Sequence, residues 1–344
     1  MGAQYASLYI IFAFHFLWES MKGKMANQNT NGHMTKRGGY ITISPKKRKG
    51  FMLFLLALPF AAFYLMFQYI PLFAWAYTLF DYKVGKPFLD FTQVDFVGIH
   101  YFRKLFTESS EILRVLRNTL VLSILGILAS PLPIVFAILL NEIRSSKFKK
   151  VIQTVTTLPN FISWIVVFSL AHAMFSENGL ITSIINLFGA QASRVGLLGN
   201  INAVWLFHLC LGIWKSLGWS AIIYIAAIAG IDAELYDACM IDGANRFRLV
   251  LHVTVPGIAP TYLVLLLLAI SNLLSNGFDQ YFMFYNSMVA DRIEVLDYYV
   301  YKVGFLIGDY SYSITIGMLK TLISVFLLFS ANFISKKIRG ASLI

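Results

Sequence analysis

Charge is what this chain has least of. Only 13% of its 344 residues are Asp, Glu, Lys or Arg, against 58% hydrophobic, and the mean hydropathy is +0.68. A soluble domain carries about 25% charged residues to present a surface to water, so the composition excludes one and leaves an integral membrane protein. Cysteine is nearly absent as well. Cys210 lies in an apolar run and Cys239 in a polar loop, a setting that excludes a disulfide framework and a cysteine zinc site and leaves both as small packing residues. No glycine-rich loop ending in Lys-Ser or Lys-Thr occurs, so the chain has no visible means of binding ATP itself. If nucleotide drives it, the motor is another polypeptide.

What is present is long apolar runs. A spanning helix needs ~20 apolar residues at ~1.5 Å each, and six stretches qualify: 51–80, 116–140, 151–175, 201–230, 257–278 and 313–335. The expected fold is therefore an all-α integral membrane protein with six transmembrane helices and both termini on one side. The net charge of +11 does not point to nucleic acid, because Lys and Arg gather at the ends of apolar runs, where membrane lipid and topology account for them. Lys46, Lys47, Arg48 and Lys49 precede the first span. Arg144, Lys147, Lys149 and Lys150 lie between spans two and three, and Lys336, Lys337 and Arg339 follow the last. These sites are mutually consistent when all are cytoplasmic, which puts the loop at 231–256, with Arg246 and Arg248, in the cytoplasm too. One region runs against the rule: 81–117 carries Lys83, Lys86, Arg103, Lys104, Arg114 and Arg117 yet falls outside.

Residues 1–50 read as an N-terminal extension and basic cytoplasmic segment, partly disordered, ahead of a transmembrane domain at 51–344. Tyr5–Trp18 is too short to span, and fits an interfacial helix, a weak signal sequence or an upstream extension of the reading frame. The tract from Asn27 to Tyr40, rich in Asn, Gly and Thr, reads as disordered. The outer segments 81–117, 176–200 and 279–312 are where an external partner could dock.

The spans contain no Asp or Glu; their polar interruptions are His172, His208, Lys215 and Lys320, with Asp279 just past the fifth. Ion-coupled carriers keep ionisable groups at mid-membrane, so a secondary carrier is the disfavoured alternative, with a His relay as its only route. A metal-dependent membrane enzyme would have to use Asp232, Glu234, Asp237 and Asp242. Lys215 admits three readings: a snorkelling or structural lysine, a contact to an anionic or polyhydroxy substrate, or a salt bridge to Asp279.

The loop at 231–256 is the one polar, patterned stretch. Asp232 suits a helix N-cap with Glu234 in the first turn, and residues 233–241 form a short helix with Leu235, Ala238, Cys239 and Ile241 toward one side. Asp242-Gly243 signals a turn. A second helix from Ala244 to about Val253 follows, ended by Pro256 before the fifth span. On pattern alone an amphipathic connector on the bilayer surface fits as well as a helix-turn-helix that receives force from another protein.

The spacing Asp237-Ala238-Cys239, three residues, Gly243, nine residues, Val253, one residue, Val255-Pro256 resembles the Glu-Ala-Ala loop of binding-protein-dependent ABC importer permeases. Asp stands here for Glu, Cys for the second Ala, and Val for both Ile and Leu. The likeness extends from about residue 50 to the C-terminus through Phe96-Val97-Gly98-Ile99-His100-Tyr101, Asn118-Thr119-Leu120, Leu158-Pro159, the Ile213–Trp219 segment, Gly277-Phe278-Asp279-Gln280 and the Tyr298–Gly304 stretch. These are similar to the carbohydrate branch that takes oligosaccharides derived from polysaccharides. The resemblance implies that the loop is a coupling helix seated on a cytosolic ATPase, through Asp237, Ala238, Cys239, Asp242, Gly243, Ala244, Arg246 and Pro256. It also implies a second homologous permease subunit, a cytosolic ABC ATPase dimer that holds ATP and Mg, an extracytoplasmic solute-binding protein, and a site in the bacterial cytoplasmic membrane. The chain itself would carry no cofactor, metal or catalytic residue. A sugar pathway needs hydrogen-bonding side chains and rings that stack on pyranoses, for which the chain offers Asn160, Ser163, Trp164, Trp214, Lys215, Trp219, Asn272, Asn276, Asp279 and Gln280. The competing roles are interfacial anchoring for the tryptophans and interhelical hydrogen bonding for Asn272 and Asn276, one helical turn apart.

Overall fold

The structure, a computed structural model, describes residues 45–83, 85, 94–107, 109–187 and 196–339. The apolar stretch Tyr5–Trp18 and the tract Asn27–Tyr40 lie outside the described residues. Two compact units divide the chain, Met1–Phe73 and Ala74–Ile344. In the first, helix α1 (Pro45–Tyr69) runs through Pro59 and passes into a 3-10 segment, Ile70–Leu79.

The second unit is built on helices, with a two-residue antiparallel pairing of β1 (Phe80–Asp81) and β2 (Asp95–Phe96) at its start. Helix α2 (His100–Thr107) precedes α3 (Ser109–Ala129) and α4 (Leu132–Asn141), whose junction at Pro131 and Pro133 forms the second span. Then come α5 (Ser146–Thr157), α6 (Trp164–Phe175), α7 (Leu180–Leu187) and the long α8 (Val204–Ala229). Among the described residues, six helices are long and apolar enough to cross a membrane: Met52–Leu79, Ser110–Asn141, Trp164–Ile185, Val204–Ala229, Arg246–Ser271 and Tyr310–Lys337. Four coincide with the expected spans; the third and fifth differ.

The third is broken. Ser145 caps α5 by accepting from the Phe148 N–H, and the helix stops where Pro159 enters a 3-10 turn, Leu158–Phe161. Proline cannot supply the N–H that an α-helix needs there. Helix α6 then restarts at Trp164, so by length and composition the span begins at 164 and not at 151. Packing nevertheless carries the crossing back into α5. A Cβ on Gly218 of α8 would lie 2.3 Å from the Thr156 carbonyl oxygen, Lys215 of α8 bonds the carbonyls of the break, and the Phe207 ring meets Phe175 at 5.4 Å. Numbers rise along one strand of this pairing as they fall along the other, so α5 and α6 run antiparallel beside α8. Gly218→Ala is therefore expected to push α8 off the break and to lower the melting temperature of the purified subunit by several degrees; an unchanged transition would show that the backbones can separate freely.

The fifth span starts early and ends early. Past α9 (Ala233–Ile241), helix α10 (Arg246–Leu249) continues through a π-helical stretch, Val250–Thr254, into α11 (Val255–Ser271) without a stop. Pro256 does not end a helix. It occupies the first turn of α11, and the wider π turn gives its ring room beside the preceding carbonyls. The far end is Asn272, whose amide donates to the Leu268 carbonyl at 2.8 Å, and Gly277 turns the chain at φ +88°. Asn272 and Asn276 thus do not share one helical face, because the helix has ended between them.

After α11 the chain folds back as α12 (Asp279–Phe284), α13 (Ala290–Ile293), α14 (Leu296–Tyr301) and a π stretch, Lys302–Ile307, before α15 (Tyr310–Arg339). This region explains the basic residues that defied the topology rule. Glu294, 1% exposed, accepts from Arg114 at 2.6 Å and from Lys302 at 2.9 Å. Burial opposes the Lys302 charge, but the hydrogen bond and charge of Glu294 outweigh it and hold the ammonium pKa above its ordinary value. Lys104 pairs with Asp309 at 3.0 Å, Arg117 with Asp291 at 3.9 Å and Lys83 with Asp81 at 3.3 Å. Lys83, Lys104, Arg114 and Arg117 are thus folding partners of acidic residues and not free topology signals; Arg103 is exposed, and Lys86 lies outside the described residues. Asn118 and Thr119, both fully buried, complete the clamp. The Asn118 amide donates to the Asp291 and Glu294 carbonyls, and Thr119 accepts from the Leu296 N–H.

Candidate functional site

The loop between spans four and five is capped at every end. Asp232 accepts from the Glu234 N–H at 3.0 Å to open α9, and Asn245 accepts from the Arg248 N–H at 2.9 Å to open α10. Between them Gly243 sits at φ +78°, the left-handed position that closes a helix when its N–H and the next return to earlier carbonyls. Here the Gly243 N–H donates to Met240 and the Ala244 N–H to Cys239. A Cβ at 243 would meet nothing within 4 Å, so what selects glycine is φ and not space. Two ties hold the loop on the helical body: Tyr236 to the Thr254 hydroxyl at 3.0 Å, and Ile231 packed onto Gly257.

Held in this way, the loop turns apolar side chains outward. Ile241 is 86% exposed, Phe247 74%, Leu235 55% and Met240 52%. Ala238 shares the open side, whereas Cys239 is half-buried on the side of Tyr236. The expected face of Leu235, Ala238, Cys239 and Ile241 is thus Leu235, Ala238 and Ile241 with Cys239 turned inward. Asp237, Asp242 and Arg246 are exposed, and Arg246 reaches Glu142 at 3.9 Å. Phe247 was not singled out from the sequence; its apolar character beside two arginines is the signal that marks it. Asp232 is occupied as a cap, and among the described residues no three His, Cys, Asp or Glu gather closely enough to hold a metal.

The second constellation is the break in span three. Helix α8 is 26 residues long, ~39 Å at ~1.5 Å per residue, and Lys215 lies near its middle. Its ammonium donates to the Pro159 carbonyl at 3.0 Å, to Asn160 at 2.9 Å and to Ile162, and it stands 5.4 Å from the Trp164 ring centre. An ammonium has three N–H donors, so all three are engaged; the Asn160 and Ile162 carbonyls are ones that the broken helix leaves free, while the Pro159 carbonyl also accepts from the Ile162 N–H at 3.2 Å. Around this clamp Asn160, Ser163, Trp164 and Trp219 come together, Ser163 with no side-chain cap bond. Phe161, which the sequence reading passed over, is 71% exposed and meets the Trp219 ring edge-on at 5.7 Å. Trp214 is elsewhere. It lines an apolar cavity of about 520 Å³ between α6 and α8, with Val167, Leu170, Phe207 and Cys210.

A family model described as "Binding-protein-dependent transport system inner membrane component" matches residues 123–340, the stretch that contains both constellations. The chain belongs to this permease family. Among curated relatives, protein LplB of Bacillus subtilis (strain 168) is 38% identical over 290 residues, 83% of this chain and 88% of that protein. The polygalacturonan/rhamnogalacturonan transport system permease protein YteP of the same organism is 37% identical over 289 residues, with the same coverage. Among solved structures, a chain from a bacterial ABC transporter involved in import of the acidic polysaccharide alginate has a TM-score of 0.75 at 27% identity, over 86% of this chain and 98% of the matched one. A chain of the alginate transporter in complex with an alginate pentasaccharide-bound periplasmic protein scores 0.76 at 27% identity. The permease is a transport subunit of a binding-protein-dependent ABC system.

Of the remaining pathway candidates of the permease, Asn276 and Gln280 are engaged in folding. The Asn276 amide donates to Ser123 at 2.9 Å, and the Asn276 and Gly277 N–H groups both donate to Asp297 at 3.0 Å. Asp297 in turn pairs with Lys320 of span six. Gln280, buried, lies 3.0 Å from His208 Nδ1 and donates to the His208 carbonyl at 3.1 Å. Asp279 is exposed at the start of α12.

Proposed function

We propose that the permease carries a carbohydrate, an oligosaccharide from polysaccharide breakdown, across the cytoplasmic membrane, and that the break in span three faces its path. The observation that carries this is physical. Non-helical backbone at membrane depth is tolerated only inside protein or beside a water-filled cavity, and here a 3-10 turn stands beside the middle of α8, tied to Lys215, with Ser163 and Phe161 exposed. Phe161 and Trp219 supply rings for pyranose faces, Asn160, Ser163 and Trp164 supply polar and aromatic contacts, and Lys215 holds the turn that presents them. The names of the relatives, which concern polygalacturonan, rhamnogalacturonan and alginate, favour an acidic sugar.

In this reading ATP and Mg belong to a separate cytosolic ATPase dimer, and the permease has no catalytic residue or cofactor. A second homologous permease completes the path, and an extracytoplasmic binding protein delivers the sugar. The loop at 231–256 lies in the cytoplasm with both termini. Its open side, Leu235, Ala238, Ile241 and Phe247, seats in the ATPase, with Asp237, Cys239, Asp242, Gly243, Ala244, Arg246 and Pro256 setting its shape. Closure of the ATPase pair shifts the spans only through its differential affinity for two arrangements.

Phe161→Ala and Trp219→Ala are expected to raise the sugar concentration for half-maximal stimulated ATP hydrolysis about two- to tenfold each, since a ring contact contributes about 0.5–1.5 kcal/mol. The assembled complex in proteoliposomes provides the measurement. Unchanged half-maximal concentrations for pectin- and alginate-derived oligosaccharides would remove the break from the path.

A further inference from the structure

Helix α2 is held firmly on one face and left apolar on the other. Tyr101 donates to Asp81 at 2.7 Å and its ring stacks on Tyr312. Lys104 binds Asp309 at 3.0 Å and lies 4.5 Å from the centre of the same Tyr312 ring. On the opposite side Phe96 is 69% exposed, Ile99 72% and Phe106 75%, with Arg103 exposed among them. Ile99 opens the helix by accepting from the Arg103 N–H, and the steps from 99 to 103 and 106 are four and three, the spacing of a single helical stripe; Phe96, at the end of β2, precedes them in the chain. Folding the chain has left this stripe open, although the ties on the other face fix where it points.

We propose that this stripe is a membrane-surface anchor: Phe96, Ile99 and Phe106 enter the interfacial layer of the bilayer and Arg103 meets lipid phosphate. The position of the helix selects the occupant. Helix α2 ends at Thr107, and the helix that carries the second span runs from Ser110, so α2 adjoins in sequence the outer end of a helix long and apolar enough to cross the membrane. That helix too has exposed apolar side chains, at Leu113, Ile124 and Leu128. An amphipathic helix with aromatic residues and a basic side chain lies in the plane of the interface, its apolar face sunk roughly 5–10 Å. Anchored there, α2 fixes the start of span two through Lys104–Asp309 and Tyr101–Asp81.

Phe106→dansylalanine, and separately Ile99→dansylalanine, would be placed in the full transporter reconstituted in nanodiscs of phosphatidylglycerol and phosphatidylethanolamine. Blue-shifted emission is expected, quenched by a nitroxide high on the lipid acyl chain, insensitive to aqueous iodide, and unaltered by saturating binding protein. Quenching by iodide that binding protein abolishes would overturn the anchor in favour of a protein-docking face. Quenching by neither agent, with or without binding protein, would overturn it in favour of burial against another subunit.

Discussion

Gly243→Pro is expected to abolish sugar-stimulated ATP hydrolysis while the transporter still assembles. The residue sits at φ +78°, and proline is confined near −65°, so the turn between α9 and α10 cannot form with proline in it. The substitution also removes the N–H that donates to the Met240 carbonyl. Among the described residues a Cβ there would meet nothing within 4 Å, so the substitution adds no clash of its own. The defect is therefore confined to the presentation of Leu235, Ala238 and Ile241. Loss of at least tenfold in stimulated hydrolysis is expected, read on the purified complex beside a co-purification measure of assembly. Gly243→Ala supplies the graded control. Alanine can adopt the left-handed conformation at a cost of about 1–2 kcal/mol, so partial coupling should remain. Full activity in the proline variant would mean that the turn does not transmit force.

Lys215→Ala is expected to cost the fold before it costs sugar affinity. Its three donors are all engaged by the Pro159, Asn160 and Ile162 carbonyls. A buried acceptor left without a donor costs about 1–3 kcal/mol, and two, Asn160 and Ile162, would be left so while Pro159 keeps the Ile162 N–H, a loss that is a large share of the stability of a typical domain, about 5–15 kcal/mol. The amount of assembled permease recovered from membranes should fall steeply, and residual transporter should melt at lower temperature. Lys215→Arg keeps donors and charge but spreads them over a planar fork, so recovery should be intermediate. Normal recovery of the alanine variant with weakened response to acidic oligosaccharides would reverse the assignment and make Lys215 a direct substrate contact.

The membrane class and the loop were legible from the chain because each is local. Apolar runs report spans, and Asp232, Asp242-Gly243 and the basic residues after them report a capped helix, a turn and a second helix. What escaped was set by neighbours. Leu158-Pro159 reads as part of one long apolar run, and only Lys215 and Gly218 on α8 make a stable break of it. Pro256 reads as a stop, but a π turn absorbs it. Asn272 and Asn276 look like one face of a helix until Gly277 and Asp297 draw the chain away from it. Lys104, Arg114 and Arg117 look like a topology violation because their partners, Asp291, Glu294 and Asp309, lie about 200 residues further on. Cys239 turned inward because Tyr236 reaches Thr254, a pairing that helical periodicity alone does not contain.

The central claim is that this permease imports a sugar with force received through its loop from a separate ATPase. Uptake of a labelled acidic oligosaccharide into proteoliposomes that contain the permease, its partner permease and the ATPase, with binding protein outside, tests it most directly. Accumulation that requires ATP and the ATPase, and that persists when proton and sodium gradients are collapsed, is the predicted result. Uptake driven by an ion gradient with no ATPase present would contradict it.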